Sequence, residues 1–264
     1  MEKLGNLLII ILFIPFLAFS QNVKLNSGNV CIDDNNSYKE TFSIVLNDLK
    51  SEALRKAGVN EYISEFSTLN TLEKNNQFNE IFYSNFLSSI SGTIKKLEIL
   101  NERKGYSDEL NCFFINLEIN ARVKKYKTKS DPSFKAVIEG VDQSYKSGDE
   151  INLKVNPYKS AYVNIFYLGE SESSILFPYE RNQNTFISNN DIRTFNHIQA
   201  YAENDKEIGR LIVVLTKEFY PFELSEKDEN GFYTKTTTDE IMSWILSIEP
   251  EDRKEYFYEL NVFK

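Results

Sequence analysis

The hydrophobic period of this chain changes at Gly92, and that change limits the fold more than any single motif. Before it, Phe42, Val45, Leu46, Leu49, Ala53, Leu54 and Ala57 recur at the spacing of one apolar stripe on an amphipathic helix. Ser37 stands where an N-cap belongs, and Gly58 where a left-handed residue closes a helix. Asn60 to about Phe66 reads as a short second helix. Gln77 to Ile90 repeats the pattern with Phe78, Ile81, Phe82, Phe86 and Ile90. After Gly92 the alternation is that of a strand. Thr93 to Leu100 reads as one strand and Arg103 to Glu109 as a turn. From Phe113 the pattern is clean: Phe113, Ile115, Leu117, Ile119, Ala121 and Val123 share one face, and Asn116, Glu118, Asn120 and Arg122 the other. One side is buried and the other wet, as in an antiparallel sheet covered by helices. Residues 21–129 are therefore expected to form an α+β module, a helical layer on an antiparallel hairpin.

Lys124 to Pro132 is polar and ends in Asp-Pro, which reads as a linker. Residues 133–264 read as a mostly-β, sandwich-like domain with a C-terminal helix. Phe134 to Glu139 is a strand, Lys146 to Asp149 a turn around Gly148, and Glu150 to Val155 a strand with Ile151, Leu153 and Val155 inward. Ala161 to Leu168 is apolar on both faces, the mark of a central strand, and Leu211 to Leu215 is alike. Ser173 to Phe177 is a strand ended by Pro178. The Asn-rich stretch 180–196 reads as a long loop. Thr238 is placed to cap a helix opening with Asp239-Glu240, with Ile241, Trp244, Ile245 and Ile248 on one side, and Tyr256 to Phe263 reads as a closing strand.

Residues 1–20 have the layout of a secretory signal peptide. Lys3 precedes a thirteen-residue apolar run, Leu7 to Phe19, broken by Pro15; Ala18 and Ser20 then put small residues where a signal peptidase reads them. The run is short for a membrane span. A mature chain starting near Gln21, periplasmic or secreted and with no transmembrane span, is the expectation. Cys31 and Cys112 are the two cysteines. In an oxidising compartment they can pair, or they can remain two buried thiols; spacing alone leaves both open. The chain has no C-x-x-C and no Cys/His cluster.

The net charge of −9 argues against a nucleic-acid partner, which needs a basic face to release counterions. The one basic cluster, Arg122 to Lys129, reads as a solvated strand end entering the linker.

Five segments in order carry a resemblance: Tyr145-Lys-Ser-Gly-Asp149, Ile151-x-Leu153-x-Val155-x-Pro157, Ala161-Tyr-Val-Asn-Ile-Phe-Tyr167, Ile175-Leu-Phe-Pro178, and Leu211-Ile-Val-Val-Leu-Thr216 with Pro221-Phe222. Over residues 133–222 the chain resembles the bacterial domain of unknown function 4384 family. The first half, through Glu52 to Gly58 and Ile90 to Ile94, is similar to a small α+β module of envelope lipoproteins and flagellar-assembly proteins. The resemblance implies an exported envelope protein and a fold, and it implies no reaction.

Familiar reaction centres are missing from the pattern. There is no G-x-S-x-G, no Ser-x-x-Lys and no glycine-rich phosphate loop, and His197 is the single histidine. The pairs Asp149-Glu150 and Asp239-Glu240 read as turn and helix-start chemistry. No metal or cofactor is implied. The candidate binding residues are aromatic. Tyr158, Tyr162, Phe166, Tyr167, Phe177 and Tyr179 lie in or beside the matching strands, and alternation separates Tyr162 and Phe166 from Tyr167. Tyr158, Tyr162, Phe177 and Tyr179 are the four proposed for a binding surface. The expectation is a non-enzymatic envelope protein that binds or scaffolds a protein or glycan partner. Two alternatives stand beside it: a secreted hydrolase using unmarked carboxylates, or a subunit of an envelope export or motility assembly.

Overall fold

The computed structural model describes residues 20–32, 37–59, 90–169, 173–179, 183–222 and 234–264. Within them the chain is α+β, with an α-helix near each end and sheets whose strand pairs are antiparallel except for one.

The stripe that begins at Phe42 becomes helix α1 (Tyr38–Lys56). Its start is fixed twice over: the Ser37 side chain accepts from the Glu40 amide, and the Glu40 carboxylate accepts from the Ser37 amide at 2.6 Å. Gly58, at φ +68°, follows its last turn. The helix lies on a sheet made of β1 (Ser20–Asn26), β2 (Val30–Cys31), β3 (Gly92–Ser107) and β4 (Cys112–Lys125). Strand β4 is central, with β3 along one side and β1 and β2 along the other, all antiparallel. Val45, Leu49, Ala53 and Leu54 of α1 meet Val23, Leu25, Ile115, Leu117, Ile119, Ala121 and Val123 in one core.

Two expectations change here. Residues 103–107 are not a turn; they pair with 112–116, and the turn is at 108–111. Charged residues on an edge strand mimic a loop in sequence, because the backbone is paired while the side chains stay in water. Register shifts at Ile94/Lys96 and Ile99/Asn101, with Lys95, Lys96, Arg103 and Lys104 along the strand, blunt that edge against further pairing. Phe113 has the parity of the buried face yet is 66% exposed, because it sits at the hairpin's end and packs edge-on against Tyr106. Of the helices expected at 60–66 and 77–90, only Ile90 falls within the described residues.

The second part holds β5 (Ala136–Glu139), β6 (Ser144–Lys146), β7 (Glu150–Pro157), β8 (Ala161–Leu168), β9 (Ser173–Phe177), β10 (Phe186–Ile187), β11 (Arg193–Gln199), β12 (Lys206–Thr216), β13 (Thr234–Thr236), helix α2 (Thr238–Ser247) and β14 (Arg253–Phe263). One sheet runs β13-β9-β8-β12-β14-β6, with β10 also on β8; the other runs β11-β7-β5. They share a core in which Ile151, Leu153 and Val155 of the small sheet meet Val163, Ile165, Leu211, Val213 and Leu215 of the large one. That shared core makes the pair a sandwich. The opposite face of the large sheet, with Phe166, Leu168, Ile212, Val214 and Phe257, is covered by Ile241, Met242 and Ile245 of α2. This explains why β8 and β12 are apolar on both faces: they are the middle of three layers.

The stretch 180–196 is not one loop, because it contains β10 and enters β11. Its asparagines hide a strand whose outer positions are polar and whose inner ones, Phe195 and Ile198, are buried. His197 is exposed on β11, at a register irregularity between Phe195 and Ile198. The cap of α2 is Thr237, one residue before the expected Thr238. The capping box sets this, since Thr237 accepts from the Glu240 amide at 3.2 Å and Glu240 accepts from the Thr237 amide at 2.9 Å.

The segment read as a linker is docked on α2. The Tyr126 hydroxyl donates to the Leu246 carbonyl, the Lys127 amide donates to Glu249 at 3.1 Å, and Lys124 pairs with Glu249 at 2.7 Å. Burial pushes the Tyr126 phenol up. Below it lies Arg253, 3% exposed, which donates to the carbonyls of Ile245 and Ile248 and pairs with Glu255 at 2.7 Å. The last turn of α2 has no basic residue, so Arg253 supplies the cation from the next element.

On the sandwich side of the large sheet, Tyr167 lies over Gly209. A Cβ at Gly209 would stand 2.1 Å from the Tyr167 hydroxyl and 2.3 Å from the adjoining ring carbon. Gly209→Ala is expected to force the ring aside and cost about 1–3 kcal/mol in urea unfolding, and Tyr167→Ala in the same chain should cancel part of that loss. Strictly additive losses would show that ring and methyl do not compete.

Candidate functional site

The described residues place an open aromatic cluster where β8, β10 and the segment after β12 meet. Tyr162 is opposite Phe186 in the β8–β10 register and opposite Thr216 in the β8–β12 register. The Tyr162 ring lies 5.3 Å from that of Phe186 and 5.7 Å from that of Phe219, both tilted. Phe186 is 40% exposed and Phe219 is 55% exposed. The same face continues inward: Tyr162, Asn164 and Phe166 pair with Thr216, Val214 and Ile212, so they point to the α2 side of the sheet. There Phe166, Phe222 and Trp244 form a mutually packed trio, with centroids 5.1 to 5.8 Å apart, and the Trp244 indole donates to the Pro221 carbonyl. The rings near α2 are thus held in the core, and those at the sheet's end are open to water.

A polar network includes Lys217, which stands two residues before Phe219 and whose ammonium lies over the ring of the core residue Phe134. Asp131 accepts from the Ser133 hydroxyl at 2.6 Å and the Ser133 amide at 2.9 Å, and pairs with Lys217 at 3.1 Å and Lys159 at 3.5 Å. The two Ser133 bonds first, and then the lysines, hold its carboxyl well below the usual carboxylate range. This joins the start of the second part, the β7–β8 turn and the segment carrying Phe219.

The four expected residues divide. Tyr162 is central to the cluster. Tyr158 is 50% exposed, but its ring contact is with Lys135, 5.2 Å away, and not with Tyr162. Tyr179 is half-buried at the end of β9, where its amide donates to Gln183. Phe177 is a correction. It is 4% exposed, packs edge-on against Phe195 at 4.9 Å and lies under the Arg193 guanidinium, so it belongs to the sandwich core. Its position on a strand between two buried layers decides this. Phe186 and Phe219 were missed. Phe186 is an aromatic residue within the Asn-rich stretch read as loop, a contrast that was the available signal, while Phe219 lies past the strand read at Leu211 to Leu215, where no element is assigned.

The carboxylate pairs are used locally. Asp149 accepts from the Lys146 amide at 2.7 Å and so closes the β6–β7 turn, with Gly148 at φ +97°. Glu240 is engaged in the α2 cap, and its amide and hydroxyl partners on Thr237 and Thr236 hold its carboxyl low. No group of three or more His, Cys, Asp or Glu placed to hold a metal occurs among the described residues. No helix among them is long and apolar enough to cross a membrane. Cys31 and Cys112 are joined in a disulfide, with Cα atoms 5.7 Å apart, at the end of the β3–β4 hairpin.

No protein-family model matches the chain, and no curated protein matches it.

Proposed function

We propose that this is an exported cell-envelope protein whose role is to bind or scaffold a protein or glycan partner, without chemistry of its own. The observation that carries the proposal is the Tyr162–Phe186–Phe219 cluster: the Tyr162 ring meets both phenylalanine rings, and those two are substantially exposed. Rings with an apolar face supply contact area, and at small ordering cost where they sit on strands, as Tyr162 on β8 and Phe186 on β10 do. The leader-like residues 1–20 and the disulfide favour an oxidising compartment outside the cytoplasm. Kinship with the domain of unknown function 4384 family belongs to the same proposal and rests on the five ordered segments over 133–222.

The test uses the mature chain immobilised and offered envelope extracts and purified envelope polysaccharides. A specific partner or glycan should be retained by the native chain, and Phe219→Ala with Phe186→Ala should weaken retention about ten-fold or more, as for contacts at the centre of an interface. Both rings are exposed, so the variants should unfold within about 0.5 kcal/mol of the native chain. Retention of nothing by the native chain, or equal retention by the variant, would remove this reading.

A further inference from the structure

The sequence places the scissile bond of the leader between Ser20 and Gln21, and the structure places that bond inside a sheet. Strand β1 begins at Ser20, which is paired with Lys124, and the pairing continues through Gln21 with Val123, Asn22 with Arg122 and Val23 with Ala121. No spacer separates the apolar leader segment ending at Phe19 from the folded body. We propose that this arrangement makes leader removal and folding mutually ordered: the bond can be cut only before β1 joins β4, and a chain that folds first keeps its leader as an anchor. The proposal rests on the export reading above.

Access to the bond sets the order. A peptidase that works at the membrane surface must draw an extended segment on both sides of the bond into its own cleft. Ser20, Gln21 and Asn22 have exposed side chains and give little resistance by themselves. Just beyond them, Val23 and Leu25 are 6% and 5% exposed and pack in the core with α1 and β4. Lifting β1 far enough to engage the enzyme strips both from that core. The Ser27 amide also donates to the Leu117 carbonyl at 2.9 Å, and the Ser27 hydroxyl accepts from the Leu117 amide at 3.0 Å. The strand is thus fastened at its far end as well. Cleavage of the folded precursor must wait for that opening, and its rate then follows the small open population. The cut chain loses Ser20 and its pairing with Lys124, and keeps the rest of β1, paired from Gln21 with Val123 onward.

The experiment offers full-length chain, residues 1–264, to signal peptidase in detergent micelles and follows the Ser20–Gln21 cut by intact mass. One sample is diluted from denaturant directly into enzyme and the other is folded first with its disulfide formed. The freshly diluted chain should be cut, and the folded chain should be cut at least about ten-fold more slowly. Inserting a flexible Gly/Ser spacer of about ten residues between Gln21 and Asn22 keeps the recognition residues and moves the bond off the sheet. That folded variant should be cut as fast as the unfolded chain. Equal rates for folded and unfolded native chain overturn the ordering and leave the export reading intact. Failure of the unfolded chain to be cut at all overturns the export reading, and the ordering with it. A spacer variant that stays resistant when folded also overturns the ordering, since pairing of β1 would then not be the cause.

Discussion

Replacing Arg253 with methionine should lower the unfolding free energy by about 3–5 kcal/mol, the range seen when one partner of a buried ion pair is removed. The side chain is 3% exposed and performs three tasks at once: it holds the carbonyls of Ile245 and Ile248 at the end of α2, it neutralises Glu255, and its guanidinium lies 5.5 Å from the centre of the Tyr126 ring. Methionine fills much of the volume but donates to neither carbonyl; the Ile245 carbonyl keeps the Ile248 amide at 3.2 Å, while the Ile248 carbonyl loses its arginine donor, at about 1–3 kcal/mol. It also leaves the Glu255 carboxylate, whose side chain is 12% exposed, beside an apolar contact. The expected readout is a fall in the urea midpoint at unchanged slope, with a thermal midpoint lower by about 10 °C for a chain of this size. Adding Glu255→Gln removes the orphaned charge, so the double variant should be more stable than Arg253→Met alone. A loss under about 1 kcal/mol would mean that water reaches the end of α2 and replaces the arginine.

Arg253 also shows where sequence reading stopped. The helix it serves was legible from Ile241, Trp244, Ile245 and Ile248, and so was the strand it begins, apart from three residues. Nothing in the spacing says that the first residue of β14 turns back to close α2, because that depends on the layer order of the sandwich. The same limit applies to the linker. Lys124 to Pro132 has a linker's composition, yet Tyr126 binds Leu246 of α2 and Lys127 binds Glu249 just past it, more than a hundred positions later in the chain. Local grammar performed well where it acts alone. The Ser37 cap, the Gly148 turn, the buried face from Ile115 to Val123 and the two-sided strands β8 and β12 were all readable. The candidate site was readable only in Tyr162. Parity placed it correctly on the Phe166 side and opposite Tyr167, but its ring partners come from a short strand inside the stretch read as loop and from a post-strand segment with no assigned element. Phe177 failed for the converse reason: a strand-end aromatic looks exposed until the second sheet is known to cover it.

Opening the Cys31–Cys112 bond should cost about 4–5 kcal/mol, the chain-entropy estimate for a cross-link spanning this length of chain. The two residues are 81 positions apart, so the bond removes a large set of extended conformations from the unfolded chain. In the folded chain it joins β2, only two residues long, to the end of β4. Strand β2 has little else to hold it, with Val30 opposite Ile115 and Cys31 opposite Phe114. Cys31→Ser/Cys112→Ser and the reduced native chain should therefore unfold at the same lower urea midpoint, since both lose the cross-link and neither loses much packing. A single Cys31→Ser variant should match them under reducing conditions. A loss under about 1 kcal/mol would indicate that the unfolded chain is already compact over this span, which is the known weakness of the entropic account. The two explanations separate further by where the effect appears. If the bond acts through the unfolded state, opening it should raise amide exchange in β4 and in the sandwich together, in step with the fall in global stability. If it acts only by pinning β2, the rise should be confined to residues 27–32 and 112–116. The first pattern would make a thiol-oxidising compartment a condition for the fold itself, and the proposed export would then be needed for stability as well as for location.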